Sequence, residues 1–113
     1  MKKSAAILFL SFLIMSYQVV PVSLRVTVRD EVGNIVQGAK VTIYQSEEDY
    51  SQNQNQVGDA QTTDRRGNAI FRNLETIPYY VRAEKGEMNN EERGIKTDTL
   101  NRARQNQVTI IVD

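Results

Sequence analysis

From Leu24 to Arg29 the chain alternates apolar and polar residues, with Leu24, Val26 and Val28 on one face and Arg25, Thr27 and Arg29 on the other. A period of two is that of a strand buried on one side. Residues 30–34, Asp-Glu-Val-Gly-Asn, form a turn cluster in which Gly33 or Asn34 takes a positive φ. Gly38 and Ala39 lack bulk, which suits a bend or a close backbone approach. Lys40–Tyr44 alternates again, predicting Val41 and Ile43 inside with Ala39, and Lys40, Thr42 and Tyr44 outside.

The alternation then stops. Residues 45–61 hold the acids Glu47, Glu48 and Asp49 and the amide-rich run 51–56, with only Tyr50 and Val57 as apolar anchors. They are expected to form a long surface loop with at most a weak edge strand. Thr62–Asn68 reads as a strand end and a tight turn, after which Ala69, Phe71 and Leu74 point inward. Past Pro78, Tyr79, Val81 and Ala83 share a face, and residues 85–94 are polar. A short strand is expected over 95–100, and the chain closes on Val108, Ile110 and Val112, again alternating. No stretch after residue 20 sustains a 3.6-residue period. The sum is an all-β chain of six to seven short strands punctuated by Gly, Asn and Asp, the spacing of a β-sandwich.

The first twenty residues follow a different rule. Lys2 and Lys3 precede an apolar run from Ala5 to Met15 broken only by Ser11, as in the basic and hydrophobic regions of a secretory signal. The run is shorter than the ~20 residues of a membrane-crossing helix, so the uncleaved inner-membrane anchor is the lesser reading. The expected organisation is a signal peptide over 1–20 and one domain over 21–113, exported to the periplasm or cell surface.

Composition narrows the chemistry. The chain has no His, no Cys and no Trp. That removes Ser-His-Asp and Cys-His nucleophilic sites, thiolate or imidazole zinc sites, disulfides and acylation at a lipoprotein cysteine. Fourteen basic and fourteen acidic residues balance over 113, and setting aside Lys2 and Lys3 leaves a net charge of −2. No clustered basic surface of the kind that binds nucleic acid is expected. No catalytic residue, metal ligand or cofactor is assigned.

Val26-Thr27-Val28-Arg29-Asp30, Gly33-Asn34 and Val36-Gln37-Gly38-Ala39-Lys40-Val41-Thr42-Ile43 resemble the opening of carboxypeptidase regulatory-like domains. These are prealbumin-type, transthyretin-like sandwiches of exported bacterial proteins. Thr63-Asp64, Gly67, Ala69, Phe71, Leu74, Tyr79, Val81 and Ala83 are similar to that family's second half. The resemblance implies an Ig-like or prealbumin-like β-sandwich over about residues 23–84 and, more loosely, the last thirty. It implies no peptidase activity, because every matching residue serves the fold.

Four candidate sites deserve weighing. A related hydrolase of 5-hydroxyisourate uses histidines and a Tyr-Arg-Gly-Ser end, which this chain lacks. A second related group forms Lys–Asn isopeptide bonds; Lys40 and Asn106 sit near the second and last strands, but Lys40 points outward by alternation. Asn89, Asn90, Glu91 and Glu92, with Asp98, offer oxygen ligands for calcium without the alternate-residue spacing of a calcium loop, and Arg93 adjoins them. Tyr44, Tyr50 and Tyr80 are expected to be exposed, and together could form a sugar-binding platform. The leading expectation is a non-enzymatic exported accessory or interaction module, acting through a sheet edge or the 45–61 and 85–94 loops. The alternative is a carbohydrate-binding module using those tyrosines, and the third is a hydrolase built on carboxylates. The partner is another envelope protein or a glycan.

Overall fold

The computed structural model describes residues 21–102 and 105–113, so the signal-like segment lies outside the described residues. Two sheets pack face to face as one β-sandwich. The strands are β1 (Val22–Asp30), β2 (Lys40–Tyr44), β3 (Gln61–Thr62), β4 (Asn68–Leu74), β5 (Tyr80–Lys85), β6 (Met88–Asn89) and β7 (Asn106–Val112). The three-stranded sheet runs β4-β1-β7, and the four-stranded sheet runs β3-β2-β5-β6. β1 pairs antiparallel with β4 and parallel with β7, while β2 and β5 pair antiparallel from Lys40↔Glu84 to Tyr44↔Tyr80.

The inward residues are those the alternation marks. Val26, Val28, Val41, Ile43, Val81 and Val112 are wholly buried between the sheets, and Leu24, Phe71 and Tyr79 join them. Apolar area removed from water at about 25 cal/mol per Å² is what drives the two sheets together. Turn chemistry sets the corners: Gly33 and Gly67 take positive φ, and the Asp64 carboxylate accepts from the N–H groups of Arg66 and Asn68 to close the turn into β4. Among the described residues no helix is long and apolar enough to cross a membrane.

Two expectations need correcting. Residues 45–61 are not a plain loop: Glu47–Gln52 form a helix, α1. The Ser46 hydroxyl caps it by accepting from the Asp49 N–H, the acids Glu47, Glu48 and Asp49 occupy its first turn, and Asn53 ends it in the left-handed region. Acids at a helix N-terminus favour the macrodipole, so this cluster is the start of an element and not merely a solvated face. Residues 95–100 form no strand. They make a single bridge, Tyr80↔Lys96, through the Thr97 N–H to Tyr79 O and the Val81 N–H to Ile95 O, and one further main-chain bond, from the Leu100 N–H to Ile77 O.

Candidate interaction site

A helix of six residues has little stability of its own, so α1 depends on what it covers. It lies on the outer face of the four-stranded sheet through Tyr50, which is 6 % exposed. Tyr44, expected outside, is 1 % exposed because this second layer covers it. The two rings meet edge to face with centroids 5.9 Å apart, and the Tyr44 hydroxyl donates to the Asn53 side-chain oxygen. Arg82, on β5, sits over the Tyr50 ring at 4.1 Å. Its guanidinium donates to the Tyr50 carbonyl at 2.5 Å and to Glu91 at 2.9 Å.

The electrostatics agree with a packed cluster. Burial pushes the Tyr50 phenol above its ordinary value, against the pull of Arg82. Burial would lower Arg82, but Tyr50, Tyr44 and Glu91 outweigh it and raise its pKa. This arrangement clamps α1 to the sheet. It also removes the sugar platform as expected from sequence: Tyr44 and Tyr50 are buried, and Tyr80 is half-buried with the Lys96 ammonium 5.8 Å from its ring centre.

Of the calcium candidates, Asn89, Asn90 and Glu91 are taken up by the fold, while Glu92 and Asp98 stand exposed. Asn90 is fully buried. Its side-chain oxygen accepts from the Ala83 N–H at 2.9 Å, and its amide donates to Val81 O at 2.8 Å and Gly94 O at 3.1 Å. It thereby continues the edge of β5 where β6 stops. Glu91 pairs with Arg82, and the Asn89 side chain accepts from the Glu91 N–H. Among the described residues no group of three or more carboxylates gathers to hold a metal. Nor are the isopeptide candidates brought together: Lys40 stands exposed on β2 in one sheet, while Asn106, on β7 in the other, donates to Ser23 O and Asn101 O.

What remains is the outer face of the three-stranded sheet, over which no described element lies. Its rows across the strands are Ile70–Arg25–Gln107, Asn68–Thr27–Thr109 and Ile35–Arg29–Ile111. Ile35 is 46 % and Ile70 40 % exposed, and Ile111 is half-buried. Arg25 donates to Gln107 at 3.0 Å, Thr27 to Asn68 at 2.6 Å, and Arg29 to the Gly33 carbonyl at 3.0 Å. Arg72, the next outward residue of β4, is exposed. The face thus presents three isoleucines and three arginines without a carboxylate in its rows. Sequence reasoning placed Arg25, Thr27 and Arg29 outward and passed over the rest; the signal was Ile70 and Ile111 standing where alternation requires polar residues.

No family's sequence profile matches the chain, and no curated protein does. Among solved structures, it is similar to the Bacillus anthracis TIE protein, with a TM-score of 0.52 and 21 % sequence identity. The likeness covers 83 % of this chain but only 16 % of that one. What the two share is the β-sandwich fold.

Proposed function

We propose that this chain is an exported, non-catalytic interaction module that binds another envelope protein through the outer face of its three-stranded sheet. The observation that carries the reading is the unequal treatment of the two outer faces. One is covered by α1, with Tyr44 and Tyr50 buried beneath it. The other leaves Ile35 and Ile70 in water beside three arginines. Apolar side chains gathered on one uncovered face are a mark of an association surface, and arginine is enriched in such surfaces.

The non-catalytic part of the reading rests on inventory and on use. The sequence holds no His or Cys, and the buried polar side chains Thr63, Asn90 and Thr97 are each taken up by main-chain groups. Export rests on the basic and apolar pattern of residues 1–15. The finer assignment, a carboxypeptidase regulatory-like domain of prealbumin type, is supported by what its motif residues do: Thr63 seals β2, Asp64 and Gly67 make a turn, and Ala69, Phe71 and Val81 pack the core.

The test is a tagged chain expressed in its native host with a photo-crosslinking residue at position 111 or, as control, at position 48 on α1. The expected result is recovery outside the cytoplasm at reduced mass, with one envelope protein trapped from position 111 and not from 48. Retention in the cytoplasm at full mass, or equal trapping from both positions, refutes the proposal.

A further inference from the structure

Main-chain pairing around the sandwich is unevenly finished. In the four-stranded sheet the open edge of β5 is sealed: Asn90 bonds Val81 O and the Ala83 N–H, and Thr97 accepts from the Tyr79 N–H at 3.0 Å while its own N–H donates to Tyr79 O at 2.8 Å. Ahead of β2, the Thr63 hydroxyl bridges the Ala39 N–H and Val36 O. β4 is treated differently. The Val28 N–H donates to Gly67 O, so the even residues of β1 turn their main-chain groups toward β4, and Ala69 and Phe71 answer Val26 and Leu24. Antiparallel alternation then points the groups of Asn68, Ile70 and Arg72 away from β1. Those of Asn68 are used, its carbonyl accepting from the Asp64 N–H and its N–H donating to the Asp64 carboxylate. Those of Ile70 and Arg72 have no partner among the described residues.

These unpaired groups open onto a groove of about 450 Å³ between β4 and residues 57–61. Phe71, Leu74 and Val57 supply its apolar lining. Across the groove β3 is only two residues long, against seven in β4. Two N–H and two C=O groups alternating along a strand are matched by extended main chain. The charged groups in the groove and in the turn ahead of β4 carry an excess of one positive charge. Arg72 lines the groove, and Arg65 and Arg66 stand exposed in the turn that leads into β4. Asp59 is the one carboxylate in the groove's lining, and Asp64 stands beside Arg65 and Arg66 in the turn, kept charged by the N–H groups that bind it.

We propose that the β4 edge takes up an extended, acidic peptide segment of a partner protein as an added strand, with Ile70 and Arg72 supplying the main-chain bonds and Phe71, Leu74 and Val57 receiving its alternate apolar side chains. The proposal stands apart from the sheet-face reading, since a peptide can fill this edge whether or not the outer face is used.

The experiment is residue-resolved amide exchange on the full chain, alone at low concentration and with a synthetic heptapeptide alternating Asp and Val. A heptapeptide alternating Lys and Val is the control. In the free chain the Ile70 and Arg72 amides should exchange freely while those of Ala69 and Phe71 are protected. The acidic peptide should slow Ile70 and Arg72 by about tenfold or more, and the basic one should not. Arg72→Glu should weaken the acidic peptide by about tenfold and improve the basic one. Ile70→Pro, which removes the outward N–H and none of the bonds to β1, should abolish the protection with the melting transition retained. The proposal is overturned if Ile70 and Arg72 are already protected in the dilute free chain, or if the peptide binds without protecting them. Protection of Gln107 and Thr109 on the β7 edge instead would also overturn it. So would protection that grows with chain concentration without peptide, which would make the occupant a second copy.

Discussion

Asn90 offers the sharpest test of how this sandwich holds its edge. In Asn90→Ala the Ala83 N–H loses its acceptor and Val81 O loses its donor, both inside the fold. Gly94 O, at the partly buried end, loses a third contact. A buried group left unpaired costs about 1–3 kcal/mol. Water reaching the Gly94 end recovers part of this, so the expected loss is about 2–4 kcal/mol. That is a large share of the 5–15 kcal/mol that holds a typical domain together.

Asn90→Asp separates the acceptor from the donor. The carboxylate still accepts from Ala83 but now faces two carbonyls, so its pKa in the folded state is raised. A raised carboxyl pKa gives stability that is present below the unfolded value of about 3.9 and lost as pH rises through the folded value. The Asp variant should therefore be least stable near neutral pH and approach wild type on acidification, when the protonated acid donates to Val81 O. Urea melts of wild type and both variants at pH 7 and pH 4 measure this. An Ala variant within about 0.5 kcal/mol of wild type, or an Asp deficit that does not change with pH, refutes the seal.

The other expectations concern core, turn and charge. Phe71→Ala should cost about 3–5 kcal/mol in a urea melt, and Tyr80→Ala much less, because Phe71 is 5 % exposed while Tyr80 is half-buried on the opposite face from Val81. Gly67→Ala should destabilise more than Gly33→Ala: both have positive φ, worth about 1–3 kcal/mol of strain, but at Gly67 a Cβ would stand 2.8 Å from Ile35 Cγ2 and 3.0 Å from Val28 O, while at Gly33 it meets nothing. Asp64 should titrate below the ordinary carboxylate value, because the N–H groups of Asn68 and Arg66 stabilise its charge. Its contribution is present above the unfolded value of about 3.9 and lost as pH falls through the lowered folded one; a carboxyl NMR titration at or above the ordinary value would contradict the turn geometry.

The sandwich was legible because burial between two sheets writes a period of two into the chain, as in Leu24-Val26-Val28 and Val108-Ile110-Val112. Tyr44 shows where that rule stops. Alternation assigns a side chain to a face, and says nothing about whether the face meets water or a second layer. The layer itself, α1, is too short for a 3.6-residue pattern to emerge. Its mark was the start signal, Ser46 followed by Glu47, Glu48 and Asp49, which a reading by hydrophobic period passes over. Asn90 was hidden for another reason. A polar residue in a polar run looks solvated, and only the three-dimensional path of residues 89–94 brings its amide against β5.

The two outer faces then pose a single physical question with two answers. A sheet face with apolar residues must be covered or left in water. The chain commits α1, Tyr44, Tyr50 and the desolvated Arg82 to covering one. Burying an arginine is costly unless its donors are used, and here Glu91 takes Nη1 and the Tyr50 carbonyl takes Nη2, while Nε has no hydrogen-bond partner among the described residues. The cover thus ties the 45–61 segment to the 89–94 segment through one guanidinium. Those segments lie within the two loops, 45–61 and 85–94, that sequence reasoning marked for binding, and the parts around Tyr50 and Glu91 help hold the fold. Ile35, Ile70 and Ile111 have no such cover, and the unpaired edge of β4 borders the same sheet. A partner that docks there displaces water and no part of the chain's own packing, which is why the three-stranded side is the place to look for it.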